Sequence, residues 1–323
     1  MSAMSRTAIF LSPGADLAAA VDLAPRADAA GYESVWVTHG LGRDGLQVLA
    51  AYSQAAPRVG LGTGIIPIYP RHPVLLAQEA LTLKEISAGR LRLGIGVSHR
   101  PMMEGSLGLD MGRPLEVLRE YVAVLRQALT GRAEHDGPRY RVAWQSGVPQ
   151  LPPPPPIYLA GLGTAMLELA GEIADGAVLW LCAPSYVREH AVPAIQKGRR
   201  RAGKTLDGFE IVVSVPAAVT ADHRAGTEAF KAELARYLAL PFYRAMLEKS
   251  GFAAEISTWE RAPGPATVGD RLVQSLGAIG AAAAVASLVT AYRQAGVTLP
   301  AIRPIGFPGA PHYLPTLEAG AIL

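Results

Sequence analysis

Short apolar runs rich in β-branched residues alternate along the chain with longer segments whose apolar positions recur at helical spacing. The runs predict strands at 7–12 (TAIFLS), 34–38, 59–66, 91–97, 156–160, 176–181, 209–219 and 298–306. Helices are predicted at about 15–30, 44–55, 73–88, 113–130, 163–173, 185–203 and 267–295, with a short one near 312–320. Near-continuous apolar strands separated by helices imply a parallel sheet covered on its outer face. Eight such strands favour a closed (β/α)8 TIM barrel over an open doubly wound sheet, because closure leaves no edge to protect.

Residues 1–323 are read as one barrel domain with two excursions. Residues 131–155 predict a small hairpin and then a rigid approach to the fifth strand, its five consecutive prolines acting as a stiff connector. Residues 222–266, between strands seven and eight, are too long for a simple βα loop and read as an insertion with one or two helices. The alanine-rich stretch 277–296 is expected to be a buried helix packed close to the barrel.

Composition narrows the functional classes. Half the residues are hydrophobic and 18% are charged, enough apolar surface for a large core. Thirty basic residues against 27 acidic ones are too balanced for the basic stripe that nucleic acid requires. A single cysteine, Cys182, excludes an intrachain disulfide and a thiolate metal cluster and fits a reducing cytoplasm. No apolar run approaches the roughly 20 residues of a membrane span, so the expected location is cytoplasmic and the expected partner a small molecule.

In a barrel of this type the active site is built from loops at the C-terminal strand ends. Those ends carry Thr38-His39-Gly40, Gly62-Thr63-Gly64-Ile65, Gly94-Ile95-Gly96 followed by Ser98-His99, and Ala160-Gly161-Leu162-Gly163-Thr164. The last is strand, glycine turn, helix, which aims free N–H groups at an anion. It is equally an ordinary tight turn on spacing alone, because Met166 stands where a dinucleotide fingerprint has its third glycine. His39 and His99 each follow an apolar strand and can project into one shared mouth as proton donors or hydrogen-bond partners, or serve structure. The remaining histidines show no metal-binding spacing, and Ser98 lacks a nucleophile elbow. Glu104 and Asp110 are candidate carboxylates in the loop after strand four, where solvated acids are the commoner case.

The runs AGYESVWVTHG, LGTGIIPIYPRHPVLLAQEALTLKEISAGRLRLGIGVS and PIYLAGLGTAMLELAGEIADGAVLW together resemble the bacterial luciferase-like superfamily, within it the class that uses the deazaflavin coenzyme F420. The resemblance covers residues 5–215 and weakens through 220–266. It implies an insertion-containing barrel, a homodimer, and hydride transfer between the deazaflavin C5 and a C=C, C=N or C=O bond of a small organic substrate. An FMN-dependent luciferase-like monooxygenase is the alternative use of the same barrel, and a non-catalytic flavin-binding barrel a second. The resemblance further implies a non-prolyl cis peptide at Gly64-Ile65 behind the ring and a phosphate held by the backbone of Ala160, Gly161, Leu162, Gly163 and Thr164. Thr38, His39, Thr63, Gly64, Ile65 and Ser98 complete the expected cofactor cradle, with His39 and His99 as the expected catalytic residues. His99 stands where some members place a carboxylate proton donor. Arg71 and His72 read as the start of the third helix, near the cofactor's acidic tail.

Overall fold

A computed structural model describes residues 6–14, 16–39, 42–307 and 314–320. The eight predicted strands all form: β1 (Ala8–Phe10), β2 (Ser34–Val37), β3 (Gly60–Thr63), β4 (Leu91–Gly96), β5 (Ile157–Ala160), β6 (Gly176–Leu179), β7 (Glu210–Val219) and β8 (Leu299–Pro304). Each pairs in parallel with the next, as in Ile9 opposite Val35 and Leu93 opposite Ile157. Closure comes from β8 on β1, with Ala8 opposite Ala301. The predicted barrel is therefore the observed one.

Residue choice inside the barrel follows from its narrow lumen. Phe10, Trp36 and Tyr158 fill it together with Val178, Val212 and Leu299. The Trp36 ring meets Tyr158 edge to face at 5.6 Å, a favourable arrangement of aromatic quadrupoles. Trp36 fits because Gly62 faces it: a Cβ at Gly62 would lie 2.2 Å from the indole. Below these rings, Glu210 accepts from the Tyr158 hydroxyl at 2.9 Å and pairs with Arg6 at 2.7 Å, so polar groups close the N-terminal end. That end supports stability, and the C-terminal end is left for chemistry.

The helices begin where local chemistry satisfies their free N–H groups. Asp44 caps Gly45–Ala55 by accepting from Leu46 and Gln47 at 2.9 and 3.1 Å. His72 caps Pro73–Ile86 through Nδ1, with proline at the first position.

The predicted hairpin is present, Arg132–Asp136 antiparallel to Arg141–Gln145. The insertion carries three α-helices rather than one or two: His223–Leu238, Pro241–Leu247 and Ala253–Arg261. The single helix expected at 267–295 is instead two helices, Asp270–Leu276 and Ala282–Gln294, around a strand, Ala278–Gly280, that extends the sheet beside β7. Two glycines make the break. Gly277 leaves no room for a Cβ against Phe230, 2.6 Å away, and Gly280 takes φ +128°. Nor is the alanine-rich helix buried throughout: Val285, Val289 and Tyr292 face the core, while Ala283 and Ala284 are exposed. Among the described residues no helix is long and apolar enough to cross a membrane.

Candidate active site

A cavity of about 510 Å³ opens at the C-terminal ends of the strands. Thr38, His39, Gly64, Ile65, Ser98 and His99 line it from three successive strand ends, and Ala160, Gly161, Leu162 and Gly163 from a fourth. Ten of the residues expected from sequence thus meet in one place. Thr63 and Thr164 do not line it. Thr63 is fully buried behind the wall, and Thr164 is exposed on the first turn of its helix.

The wall at β3 is bulged. Gly62 stands opposite Arg92, yet Ile66 stands opposite Ile95, so the β3 side carries one residue more than β4 between those pairs. A bulge interrupts the ladder and leaves backbone groups to be satisfied some other way. Thr63 does this with its side chain: Oγ1 donates to the Gly94 carbonyl and accepts from the Gly94 N–H, both at 2.7 Å. Gly94 must be glycine, because a Cβ there would lie 1.9 Å from the Thr63 carbonyl oxygen. Past this clamp the Gly64–Ile65 peptide is cis and faces the cavity, as the resemblance implies.

His39 is fixed by the helix that follows it. Its Nδ1 accepts from the Gly45 N–H at 3.1 Å, so the ring proton of the neutral form sits on Nε2. Burial lowers its pKa below the ordinary imidazole value and the Arg71 charge lowers it further, against the opposing pull of Asp44. Arg71 binds Asp44 and also Glu79, at 3.2 Å, and so ties the loop after β3 to the loop after β2. The Arg-His pair of PRHP therefore braces His39 and starts a helix.

His99 lies under the insertion. Its ring stacks on Phe242 at 5.3 Å and meets Tyr243 edge-on at 6.0 Å. Its Nδ1 is buried without a hydrogen-bond partner, and burial lowers its pKa. Ser98 before it takes φ +59°, and Leu181 after the cavity residue Trp180 takes φ +53°. Left-handed non-glycine residues are costly by about 1–3 kcal/mol and cluster where geometry matters for function. Neither Glu104 nor Asp110 lines the cavity. Glu104 pairs with Arg100, and Asp110 accepts from the Gly112 N–H at 2.9 Å.

At the fourth strand end, Gly163 precedes the helix Thr164–Ile173, and no side chain caps it. Its first N–H groups are free for an anion, which the helix dipole also favours. A Cβ at Gly163 would meet nothing within 4 Å, so the glycine leaves open space over those donors. Tyr186 pins the turn by donating to the Leu162 carbonyl at 2.5 Å.

Trp180, Tyr237, Phe242 and Tyr243 also line the cavity and were not expected from sequence. Their signal was weak, since an apolar residue at a strand end or on an inserted helix reads as core. Among the described residues no group of three or more His, Cys, Asp or Glu is placed to hold a metal. Cys182 is buried, its thiol pushed up to about 12 by burial, and takes no part.

Comparison with known proteins agrees with this geometry. A family model described as luciferase-like monooxygenase matches residues 1–299. An uncharacterised protein of Mycobacterium tuberculosis is 30% identical over 261 residues, 73% of this chain and 73% of that protein. The 5,10-methylenetetrahydromethanopterin reductase of Methanolobus tindarius is 30% identical over 223 residues, covering 67% of this chain and 64% of the relative. The solved structure of coenzyme F420-dependent tetrahydromethanopterin reductase from Methanopyrus kandleri superposes with a TM-score of 0.82 at 23% identity, over 99% of this chain and 98% of that one.

Proposed function

The chain belongs to the luciferase-like monooxygenase family, and from that premise we propose that it is an oxidoreductase that uses coenzyme F420 to transfer hydride to or from a small organic substrate. One observation carries the reading. The Gly64–Ile65 bulge and the uncapped glycine turn before Thr164–Ile173 line the same cavity as two histidines. A flat ring with a phosphate tail needs that combination: a glycine at which the ring can approach the wall closely, and N–H donors for the anion.

When bound, the deazaflavin supplies the hydride chemistry, and the protein contributes orientation and electrostatics. The Ala160–Gly163 backbone would hold the phosphate, and Gly64 and Ile65 would back the ring. His39, neutral and fixed with its proton on Nε2, would donate to a ring carbonyl. His99 would hold the proton exchanged with the substrate. Its lowered pKa keeps it neutral near pH 7, ready to accept a proton in the oxidative direction, and makes its protonated form a stronger acid in the reductive one. Phe242 and Tyr243 pack on the His99 ring and hold its orientation.

The test is turnover with and without oxygen. Reduced F420 should be oxidised by a carbonyl or imine acceptor under anaerobic conditions. A strict requirement for oxygen together with reduced FMN would replace this reading with that of a monooxygenase.

A further inference from the structure

The cavity has a second half that the cofactor reading does not use. Tyr237 ends the helix His223–Leu238, and Phe242 and Tyr243 open the helix Pro241–Leu247, so one elbow of the insertion delivers three rings. Tyr237 and Tyr243 meet at 4.9 Å, as do Phe242 and Tyr243, and Trp180 continues the wall 6.3 Å from Tyr237. Arg303 braces this wall from behind: its guanidinium lies over the Trp180 ring at 5.0 Å and pairs with Glu233 of the insertion helix at 2.9 Å. The rings are thus held in place, apart from Phe242, which is 41% exposed at the mouth.

Two properties of this half bear on what it accepts. Charge is the first. Among the described residues no carboxylate lines the cavity, and the one arginine that does, Arg100, sits at the exposed rim already paired with Glu104. A charged substrate group placed among the rings would lose its hydration with no counter-charge to replace it. The second is Tyr243. Its ring is buried in the cavity wall, and its hydroxyl makes no hydrogen bond to another described residue. A tyrosine hydroxyl on the cavity wall with no protein partner is free to donate to a ligand acceptor.

We propose that the insertion forms the substrate half of the site, and that it takes an uncharged, planar conjugated carbonyl compound whose oxygen accepts a hydrogen bond from Tyr243. The proposal rests on the reading of the chain as an F420-dependent oxidoreductase. In the reductive direction the hydride from the reduced deazaflavin forms a new C–H bond at the carbonyl carbon. The C=O π pair moves to oxygen, the oxygen takes a proton from the protonated form of His99, which returns to the neutral imidazole, and the cofactor would be left oxidised by two electrons. Tyr243 steadies the oxygen as its charge grows, and the ring wall holds the substrate plane.

The experiment compares 4-methoxybenzaldehyde with 4-carboxybenzaldehyde and acetone as acceptors for reduced F420, using the full chain. The expected kcat/KM for the uncharged aromatic aldehyde exceeds that of either other acceptor by about tenfold or more. Phe242→Ala should raise its KM about fivefold or more while F420 affinity stays within about twofold. Tyr243→Phe should lower kcat about tenfold with KM nearly unchanged, as expected for a hydrogen bond that strengthens in the transition state. Equal or better use of the carboxylated aldehyde would overturn the proposal, as would a Phe242→Ala variant that loses F420 affinity as much as aldehyde affinity. F420 binding is measured first and separately, so a protein that fails to bind it refutes the cofactor reading. Equilibrium dialysis of the two aldehydes without cofactor then still decides the substrate class: preference for the uncharged one upholds it, and no preference overturns it.

Discussion

Replacing Thr63 by valine keeps the shape of the side chain and removes one atom that serves two backbone groups. In the native protein Oγ1 is the partner of both the Gly94 N–H and the Gly94 carbonyl, each at 2.7 Å, at a position with no solvent exposure. The neighbouring Leu93 N–H turns the other way, to the Pro156 carbonyl, so β5 cannot take over these bonds. Leaving a buried polar group unsatisfied costs about 1–3 kcal/mol; the Gly94 carbonyl keeps the ladder bond that the Ile66↔Ile95 register gives it, so the Gly94 N–H alone predicts a loss of about 1–3 kcal/mol for Thr63→Val. Urea unfolding followed by circular dichroism measures it, with the m-value expected to stay constant because the surface exposed is the same. Because the clamp lies directly before Gly64, the variant should also bind the cofactor more weakly. A loss below about 1 kcal/mol would show that the bulge satisfies Gly94 by other means, and the account of this wall would fail.

Other consequences are equally direct. Gly62→Ala would drive a methyl group into the Trp36 indole, 2.2 Å from the built Cβ, and should destabilise the barrel by about 1–3 kcal/mol or more, visible as a lower urea midpoint. Arg71→Met removes a cation that lowers the His39 pKa, so that pKa should rise, and NMR titration of the imidazole would reveal a reversed or absent shift if the brace were idle. His39 and His99 both titrate below the ordinary imidazole value of 6.5, so the unfolded chain takes up their protons first. Their contribution to stability is complete above about pH 6.5 and is lost as pH falls through the lowered values. His99→Gln should therefore flatten the decline in melting temperature between about pH 7 and pH 5, and an unchanged slope would count against a buried neutral His99. Gly163→Val fills open space at an N-cap position, so stability should fall by no more than about 1 kcal/mol while F420 affinity falls about tenfold; equal loss for a deazaflavin lacking the phosphate would place the anion elsewhere.

Much of the site could be read from residues because the barrel converts sequence position into place. Once eight apolar strands are recognised, whatever follows each one stands at the same rim, and so His39, Gly64, His99 and the turn at 160–163 meet although up to 124 positions separate them (163 less 39). Side-chain assignments across strands were not legible. Thr63 was expected in the cradle, but its hydroxyl answers a bulge whose register depends on Gly94, 31 residues away. In sequence Arg71 is a helix start, and its second task depends on Asp44, 27 residues earlier. The aromatic wall is not legible in sequence because periodicity separates buried from exposed faces and does not separate a core from the lining of a cavity. The helix expected at 267–295 failed at Gly277 and Gly280, where the neighbouring alanines gave a helical pattern and the tertiary contact with Phe230 overrode it.

The central claim is that the cavity between the β3 bulge and the turn after β5 holds a deazaflavin. Equilibrium titration of the purified chain with F420 and with FMN, followed by fluorescence, tests it most directly. The account predicts saturable, stoichiometric binding of F420, tighter than that of FMN and weakened by Gly163→Val. Tight FMN binding with no response to F420 would contradict it.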